Sequence, residues 1–388
     1  MEPLRSFFME DYLEGSRFTA RYNLGESGGR PVTVGELLTG SGVSAAQASE
    51  VFLSTLLRDS PNWGRADLRD LVAAMHPGAT RDNVLITTGT SEALLLLFRQ
   101  LRPRKVALAW PAFQLLYELP MQQGAQWVKL PVRWNAQGQP SIDAAEWLAC
   151  LERERPDAVI INTPHNPSGL VLDADLLGAV TAWAEAHGAT VVGDEHYRFL
   201  SSEDAVLGPT VWRPGTRSFV TGSFIKCLGC PGLRIGWCVG DTKMLALMQN
   251  EKNYTTHTVN PVTEWISYEV LKDLHSPALH RAREDWLQNR RTLAAFLERS
   301  RGVYGTAPQG GLVTCIGVRD AMEPAAFSAR LEALAAAGVF VLPLSAMEVG
   351  EPHGAHPLER GHGFRLGLGA APAHFAEALE VIERATAR

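Results

Sequence analysis

The sequence predicts an α/β protein in which a mainly parallel β-sheet is sandwiched between helices and followed by a smaller α+β domain. From about residue 84 to residue 221, short β-rich runs alternate with helical stretches, which is typical of parallel sheets. Polar residues that could carry chemistry come directly after several of these runs, and ligands bind at the carboxyl ends of the strands in such sheets. After about residue 275, long helices with a few short strands replace this alternation and indicate the second domain.

The chain divides into three predicted parts: an arm over residues 1–45 that joins the small domain and the active site, a large domain over 46–275 and a small domain over 276–388. Apolar spacing predicts a short helix over residues 3–14 of the arm, and a glycine-rich loop follows at 22–31. The large domain has predicted strands at 84–88, 105–110, 127–130, 158–162, 190–193, 218–221 and 235–239, and predicted helices at 91–101, 113–123 and 174–187. The small domain has predicted helices at 277–301 and 324–337, and predicted strands at 312–316, 339–342 and 363–368.

Composition argues against several classes of protein. The chain has 388 residues, of which 46% are hydrophobic, and a net charge of −6, with no Lys/Arg-rich block that would track a nucleic-acid backbone. No apolar run approaches the length of a membrane span, and the acidic N-terminus is unlike a signal peptide. We therefore expect a cytoplasmic protein that binds neither nucleic acid nor membrane. Among the five cysteines, one C-x-x-C pair lacks a second pair, so no metal site is predicted.

The segment from Ser223 to Trp237 places a hydroxyl, a lysine and an arginine close together between two β-rich runs. Lys226 has mostly apolar neighbours, so burial and the charge of Arg234 should both lower the pKa of its ammonium group. A lysine that condenses with an aldehyde needs such a lowered pKa. Ser223 and Arg234 suit a phosphate group. A solvated surface lysine remains the alternative reading.

Two further strand ends carry candidate binding residues. Gly89, Thr90 and Ser91 join a predicted strand to a helix, where backbone N–H groups at the helix N-terminus form an anion site. An ordinary helix cap would look the same. Phe113 follows the next strand and could cover a flat heterocycle, although packing in the core is equally compatible with its position.

The last two strand ends hold an amide and a carboxylate. Asn166 lies in a proline-rich turn, and the rigidity of such a turn could position its side chain. Asp194 ends a buried strand, where a carboxylate is costly unless it is paired. A pyridinium nitrogen would be such a partner, with Tyr197 reaching a ring oxygen from the same side; a helix-capping aspartate is the alternative.

Taken in order, these motifs resemble the fold-type I, aspartate aminotransferase-like enzymes that depend on pyridoxal phosphate. The motifs are G-T-S, an aromatic residue after a strand, N-P-S-G, D-x-x-Y, S-x-x-K and an arginine eight residues further on. A late F-R-L-G-L-G run at 364–369 is similar to the strand whose arginine binds the substrate α-carboxylate. The resemblance covers about residue 20 to the end and implies a homodimer. Residues 59–64 lack the tyrosine that many relatives send into the partner's phosphate site, which is a departure from the family pattern.

The resemblance also implies roles for individual residues. The implied catalytic residues are Lys226, which would carry the cofactor and move protons at the substrate Cα, together with Asp194 and Tyr197. The implied cofactor-binding residues are Gly89, Thr90, Ser91, Ser223 and Arg234 at the phosphate, Phe113 on the ring face, Asn166 and Tyr197 at the ring oxygen, Asp194 at the ring nitrogen, and Lys226. Arg365 would bind the substrate carboxylate.

Within this family, the chain resembles the cyclases of hydroxylated arginine from antibiotic biosynthesis. The matching segments are residues 27–28, 33–37, 59–64, 164–169 and 229–238. The resemblance implies removal of the Cα proton, loss of a β-hydroxyl as water and ring closure by a guanidine nitrogen.

A guanidinium group needs carboxylate or carbonyl partners. Glu26 is the candidate, with Ser27 and Asn166 also expected in the substrate site; a solvated loop glutamate is the alternative reading of Glu26. Plain transamination to a keto acid stays open, because every cofactor-binding residue serves both reactions. A transcription regulator on this fold is disfavoured, since no basic DNA-binding segment precedes the first strand.

Overall fold

The computed structural model describes residues 4–321, 323–347 and 354–387. The helices are α1 (Phe8–Glu14), α2 (Val34–Gly40), α3 (Ala45–Ser54), α4 (Ala66–Ala74), α5 (Thr90–Leu101), α6 (Gln114–Gln122), α7 (Ala144–Glu154), α8 (Ala174–His187), α9 (Thr242–Lys252), α10 (Pro261–Leu271), α11 (Pro277–Arg299), α12 (Pro324–Ala336) and α13 (Pro372–Thr386). The strands are β1 (Tyr22–Asn23), β2 (Val84–Thr87), β3 (Lys105–Trp110), β4 (Gln126–Pro131), β5 (Arg133–Trp134), β6 (Pro140–Ser141), β7 (Ala158–Asn162), β8 (Thr190–Asp194), β9 (Ser218–Gly222), β10 (Gly236–Val239), β11 (Val303–Gly305), β12 (Val313–Val318), β13 (Val339–Phe340), β14 (Leu342–Pro343) and β15 (Gly363–Gly367).

The large domain is built on a seven-stranded sheet in the order β2-β10-β9-β8-β7-β3-β4. Strand β10 runs antiparallel to both β2 and β9, and the other neighbouring strands pair in parallel. Successive residues of β7 enter different hydrophobic clusters: Val159 and Ile161 join one, and Ala158 and Ile160 join the other. The sheet therefore has a core on each face, which explains why its strands are continuous apolar runs. The predicted α/β architecture with a mainly parallel sheet is confirmed.

The strand register brings the predicted polar residues to one edge of this sheet. Asn162, the last residue of β7, pairs with Asp194, the last residue of β8, and Asp194 pairs in turn with Thr221 of β9. Parallel strands end at a common edge, so side chains separated by many residues in sequence meet there. This edge is where a ligand site can form.

The second sheet has four antiparallel strands in the order β11-β12-β15-β14. Helix α11 packs against β11 of this sheet and against α13, and both α12 and α13 contact β13. The single strand predicted at 339–342 is wrong, because this stretch divides into β13 and β14. Strand β13 pairs in parallel with β1 of the arm, whereas β14 pairs with β15 of the sheet. The two short strands have different partners, and a local sequence pattern does not encode such long-range pairing.

The arm contacts both other parts of the chain. Arg5 donates hydrogen bonds from Nε to the carboxylate of Glu118 on α6 at 3.0 Å, and the ring of Tyr12 stacks on Phe340 of β13 at a centroid distance of 5.3 Å. Helix α1 begins at residue 8, so the predicted helix over 3–14 starts too early; residue 3 lies outside the described residues. The loop after β1 then passes over the carboxyl edge of the large sheet.

Candidate active site

The turn after β9 presents Lys226 at the sheet edge. Ser223 closes this turn, because its hydroxyl donates to the carbonyl of Ile235 at 2.7 Å and accepts from the backbone N–H of Ile225 at 3.2 Å. Lys226 is half-buried, and its amine makes no hydrogen bond or ion pair among the described residues. Burial lowers the pKa of Lys226, the charge of Arg365 adds to this effect, and Glu26 opposes it. A lowered pKa favours the neutral, nucleophilic amine.

The glycine-rich loop of the arm lies directly over this lysine. The backbone N–H of Gly29 donates to the carbonyl of Lys226 at 2.6 Å. A Cβ atom on Gly29 would stand 2.7 Å from the carbonyl oxygen of Cys227, so a side chain there would prevent the approach. The carbonyl of Ser27 accepts a 2.6 Å hydrogen bond from the Tyr197 hydroxyl. The loop thereby forms one wall of the site.

Asp194 is fully buried at the end of β8 with three polar partners. Its Oδ1 accepts from Thr221 Oγ1 at 3.3 Å and lies 3.0 Å from His196 Nδ1, while its Oδ2 accepts from Asn162 Nδ2 at 3.3 Å. This network holds the carboxylate in one orientation, as a hydrogen bond to a ring nitrogen requires. Asn162, Thr221 and His196 were not among the predicted site residues; the D-E-H-Y order of residues 194–197 is the local signal for His196.

Arg365 of β15 is fully buried and points to the same edge. Its Nη1 donates to Asn166 Oδ1 at 3.2 Å and its Nη2 to the carbonyl of Gly25 at 2.6 Å. Its Nε is buried and has no hydrogen-bond partner among the described residues. Buried guanidinium nitrogens are rarely left unpaired, so this atom indicates an anionic ligand. Burial also raises the pKa of Tyr197, which keeps its phenol protonated as a donor.

The guanidinium of Arg234 lies beside the N-terminus of α5. Gly89 caps the helix with φ +80°, and a Cβ atom there would stand 2.8 Å from Arg234 Nη2. Thr90 is half-buried and Ser91 exposed in the first turn of the helix. Helix-terminal N–H groups, hydroxyls and a guanidinium form a donor set that fits a phosphate.

The remaining predicted residues lie around this centre. Phe113 is half-buried before α6, and its ring packs against Phe7 of the arm at 5.8 Å between centroids. Glu26 keeps 33% of its side chain exposed, and its Oε1 accepts from Arg17 Nε at 2.6 Å. Its position in the loop places it between Gly25, which contacts Arg365, and Ser27, which contacts Tyr197. Arg17 was not among the predicted site residues.

Other kinds of site find little support in the described part of the chain. Across residues 4–321, 323–347 and 354–387, no group of three or more His, Cys, Asp or Glu side chains could hold a metal ion. No helix in these ranges combines the length and apolarity needed to cross a bilayer. All five cysteines are free and buried.

The fold and this constellation define a pyridoxal phosphate-dependent enzyme of fold type I. A family model described as "Aminotransferase class I and II" matches residues 34–382, and the chain belongs to this family. Its cofactor is pyridoxal 5'-phosphate, and the residues present fit it: a buried carboxylate, an amine of lowered pKa and a cradle for a phosphate. The bound cofactor supplies an electron sink for a carbanion at the substrate Cα.

Individual relatives cover most of the chain. Capreomycidine synthase from Streptomyces vinaceus is 29% identical over 78% of this chain and 77% of its own length. Arginine–pyruvate transaminase from Pseudomonas aeruginosa is 28% identical over 80% of this chain and 78% of its own length. A crystal structure of the pyridoxal phosphate-dependent cyclase OrfR superposes with a TM-score of 0.83 at 24% identity, covering 100% of this chain and 98% of that one. That structural likeness is a likeness of fold.

Proposed function

We propose that this enzyme converts a hydroxylated arginine-type amino acid into a cyclic, non-proteinogenic amino acid for antibiotic biosynthesis. The observation that carries the proposal is the position of Glu26. This carboxylate projects from a loop whose neighbouring residues contact Arg365 and Tyr197. An acidic group at this point suits a substrate that has a carboxylate at one end and a guanidinium group at the other.

In this proposal the described residues have the following roles. Lys226 carries the cofactor and moves protons at Cα, and Arg365 binds the substrate carboxylate through its unpartnered Nε. Asp194 serves the ring nitrogen, Asn166 and Tyr197 the ring oxygen, and Phe113 the ring face. Gly89, Thr90, Ser91, Ser223 and Arg234 hold the phosphate. Glu26 and Ser27 line the substrate side of the site, and Asn166 serves both the cofactor ring and the substrate.

The proposed reaction is balanced without an oxidant. Lys226 takes the Cα proton, and the electron pair of that bond forms a double bond between Cα and Cβ as the Cβ–O bond breaks. The hydroxyl gains a proton and leaves as water. A guanidine nitrogen then bonds to Cβ and loses a proton, and Cα regains one. The product is the substrate minus one water, with its α-amino group retained.

The relatives support both this reaction and one alternative. Capreomycidine synthase, by its name, forms capreomycidine, and it is among the relatives that match over the greater part of the chain. Arginine–pyruvate transaminase, by its name, exchanges the amino group of arginine. Transamination is therefore the second candidate. In it, the α-amino group would stay on the enzyme, and water would supply the oxygen of the keto acid that leaves.

Mass spectrometry of the product formed from β-hydroxyarginine tests the proposal. Cyclisation predicts a product that has lost one water, that keeps a ¹⁵N label in its α-amino group, and that leaves the cofactor as an aldehyde. A keto acid together with the pyridoxamine form of the cofactor would establish transamination. Absence of any turnover of guanidino amino acids would contradict the proposed substrate class.

We also propose that the enzyme is a homodimer. The segment after α3 and the turn after α9 meet where Asn62 Nδ2 donates to Asn253 Oδ1 at 2.7 Å. Leu53 in the last turn of α3, Leu57 in the segment after it and Tyr254 in the turn after α9 are 86%, 87% and 86% exposed, and exposed apolar side chains of this kind mark protein contacts. Leu57→Arg should shift the sedimentation mass from dimer to monomer. A monomeric parent protein would refute this assignment.

The proposed location is the cytoplasm, where thiols stay reduced. The five cysteines are free in the structure, so thiol titration of the denatured protein purified from its own source should find five thiols. A disulfide in that preparation would contradict the assignment.

A further inference from the structure

Three carboxylates of the arm meet on one guanidinium group. Arg17 donates from Nε to Glu26 Oε1 at 2.6 Å, from Nη2 to Glu10 Oε2 at 2.6 Å and from Nη1 to Glu14 Oε2 at 2.8 Å. Each carboxylate thus uses one oxygen for Arg17. The second oxygen of each makes no hydrogen bond among residues 4–321, 323–347 and 354–387. The cluster has more carboxylates than cations and has spare acceptors.

Two of these carboxylates act electrostatically on the active site. Burial lowers the pKa of Lys226 and of Arg365, and the charges of Glu26 and Glu10 oppose this lowering at both groups. Glu14 is the most exposed of the three carboxylates, at 66% against 44% for Glu10 and 33% for Glu26. Glu10 and Glu26 are therefore near enough to the amine and the guanidinium of the site to act on them electrostatically, whereas Glu14 is more open to solvent.

An independent observation indicates a ligand between these groups. The Nε of Arg365 is buried without a partner among the described residues, which calls for the carboxylate of a bound molecule. Its Nη2 is held by the carbonyl of Gly25, the residue directly before Glu26. A molecule anchored on Arg365 therefore has the acidic cluster beside it, and a cation at its far end would find the spare carboxylate oxygens.

We propose that Glu10 of α1, together with Glu26, forms the subsite for the cationic end of the substrate side chain, and that Arg17 is the positioning residue of this subsite. The inference rests on the proposed substrate class and adds to it. Arg17 neutralises part of the cluster and fixes the directions of its carboxylates through a planar fork. The remaining negative charge attracts a guanidinium group and disfavours an acidic side chain.

The subsite also requires the arm to be docked. Glu10 lies on α1 and Glu26 on the loop after β1, and Arg17 is the link between the two. The cation site is complete only when helix and loop are held together. Selection of the substrate side chain therefore depends on a segment outside both sheets.

Dissociation constants of L-arginine and its uncharged analogue L-citrulline, measured from the cofactor spectrum of the holoenzyme, test the inference. Loss of one charge-assisted hydrogen bond should make Glu10→Gln bind arginine about ten- to 150-fold more weakly. Citrulline binding should change by less than about twofold, since its neutral end gains little from a carboxylate. The matched control Glu14→Gln should leave both constants unchanged. Arg17→Lys keeps the charge but loses the fork, so it should reduce the preference for arginine and leave citrulline unaffected.

The outcomes separate this inference from the proposed function. Equal effects of Glu10→Gln and Glu14→Gln, or equal weakening of arginine and citrulline by Glu10→Gln, would overturn the inference. If the parent enzyme cyclises β-hydroxyarginine while Glu10→Gln keeps the full preference for arginine, the subsite is wrong and the function stands. If the parent enzyme shows no preference for arginine over citrulline, the subsite and the substrate class both fail.

Discussion

Replacement of Arg365 by lysine tests how the substrate carboxylate is held. The guanidinium is anchored by Nη1 to Asn166 at 3.2 Å and by Nη2 to Gly25 at 2.6 Å, which leaves its buried Nε edge for the ligand. A lysine ammonium cannot satisfy both anchors and still present two parallel donors. At least one charge-assisted hydrogen bond to the carboxylate is therefore lost, which costs about 1.5–3 kcal/mol. The dissociation constant of arginine should rise about ten- to 150-fold.

Agmatine, which is arginine without its carboxylate, separates carboxylate binding from a general effect on the site. Spectral titration should show arginine weakened in Arg365→Lys, while agmatine changes by less than about twofold because it makes no contact with the Nε edge. Equal weakening of the two ligands would mean that Arg365 serves to hold the loop of Gly25, and this would refute the carboxylate assignment. Unchanged binding of arginine would refute it as well.

Three further predictions concern the lysine, a glycine contact and a buried acid. Lys226→Ala should abolish the visible absorbance of the bond between lysine and cofactor, unlike Lys243→Ala at the surface; a band that borohydride still fixes would contradict the assignment. Gly229→Ala should lower the free energy of unfolding by about 2–4 kcal/mol in a denaturant titration, because φ is +70° and the new Cβ would lie 1.8 Å from a backbone oxygen. The control Gly232→Ala has open space around it and should leave the free energy of unfolding nearly unchanged. Equal effects of the two substitutions would refute this prediction. Burial raises the pKa of Glu195 from 4.5 to about 7. Between these two pH values the folded state keeps a proton that the unfolded state has released, so the free energy of unfolding falls by about 3 kcal/mol as the pH rises from one value to the other. Unfolding of Glu195→Gln should lack this decline, and parallel pH profiles would contradict the assignment.

Much of the large domain could be predicted from local sequence. Strands that are buried on both faces are continuous apolar runs. The ends of these runs predicted the edge of the large sheet at which Asp194 and Lys226 lie. The apolar neighbours of Lys226 predicted its lowered pKa, and burial is indeed the largest cause of that lowering. The pairs that shape the site were less accessible. Arg365 and Asn166 are 199 residues apart in sequence, and no local pattern relates them.

The sequence by itself determined the class of enzyme, because each cofactor-binding motif is short and lies between a strand and the element after it. Only the tertiary structure decided the proposed subsite for the substrate side chain. The contacts of Arg17 with Glu10 and Glu26 need α1 and the loop after β1 to dock on the sheets, and the division of residues 339–342 depends on pairing with the arm. Such features depend on long-range packing, since side chains from separate elements meet only after each element has found its partner.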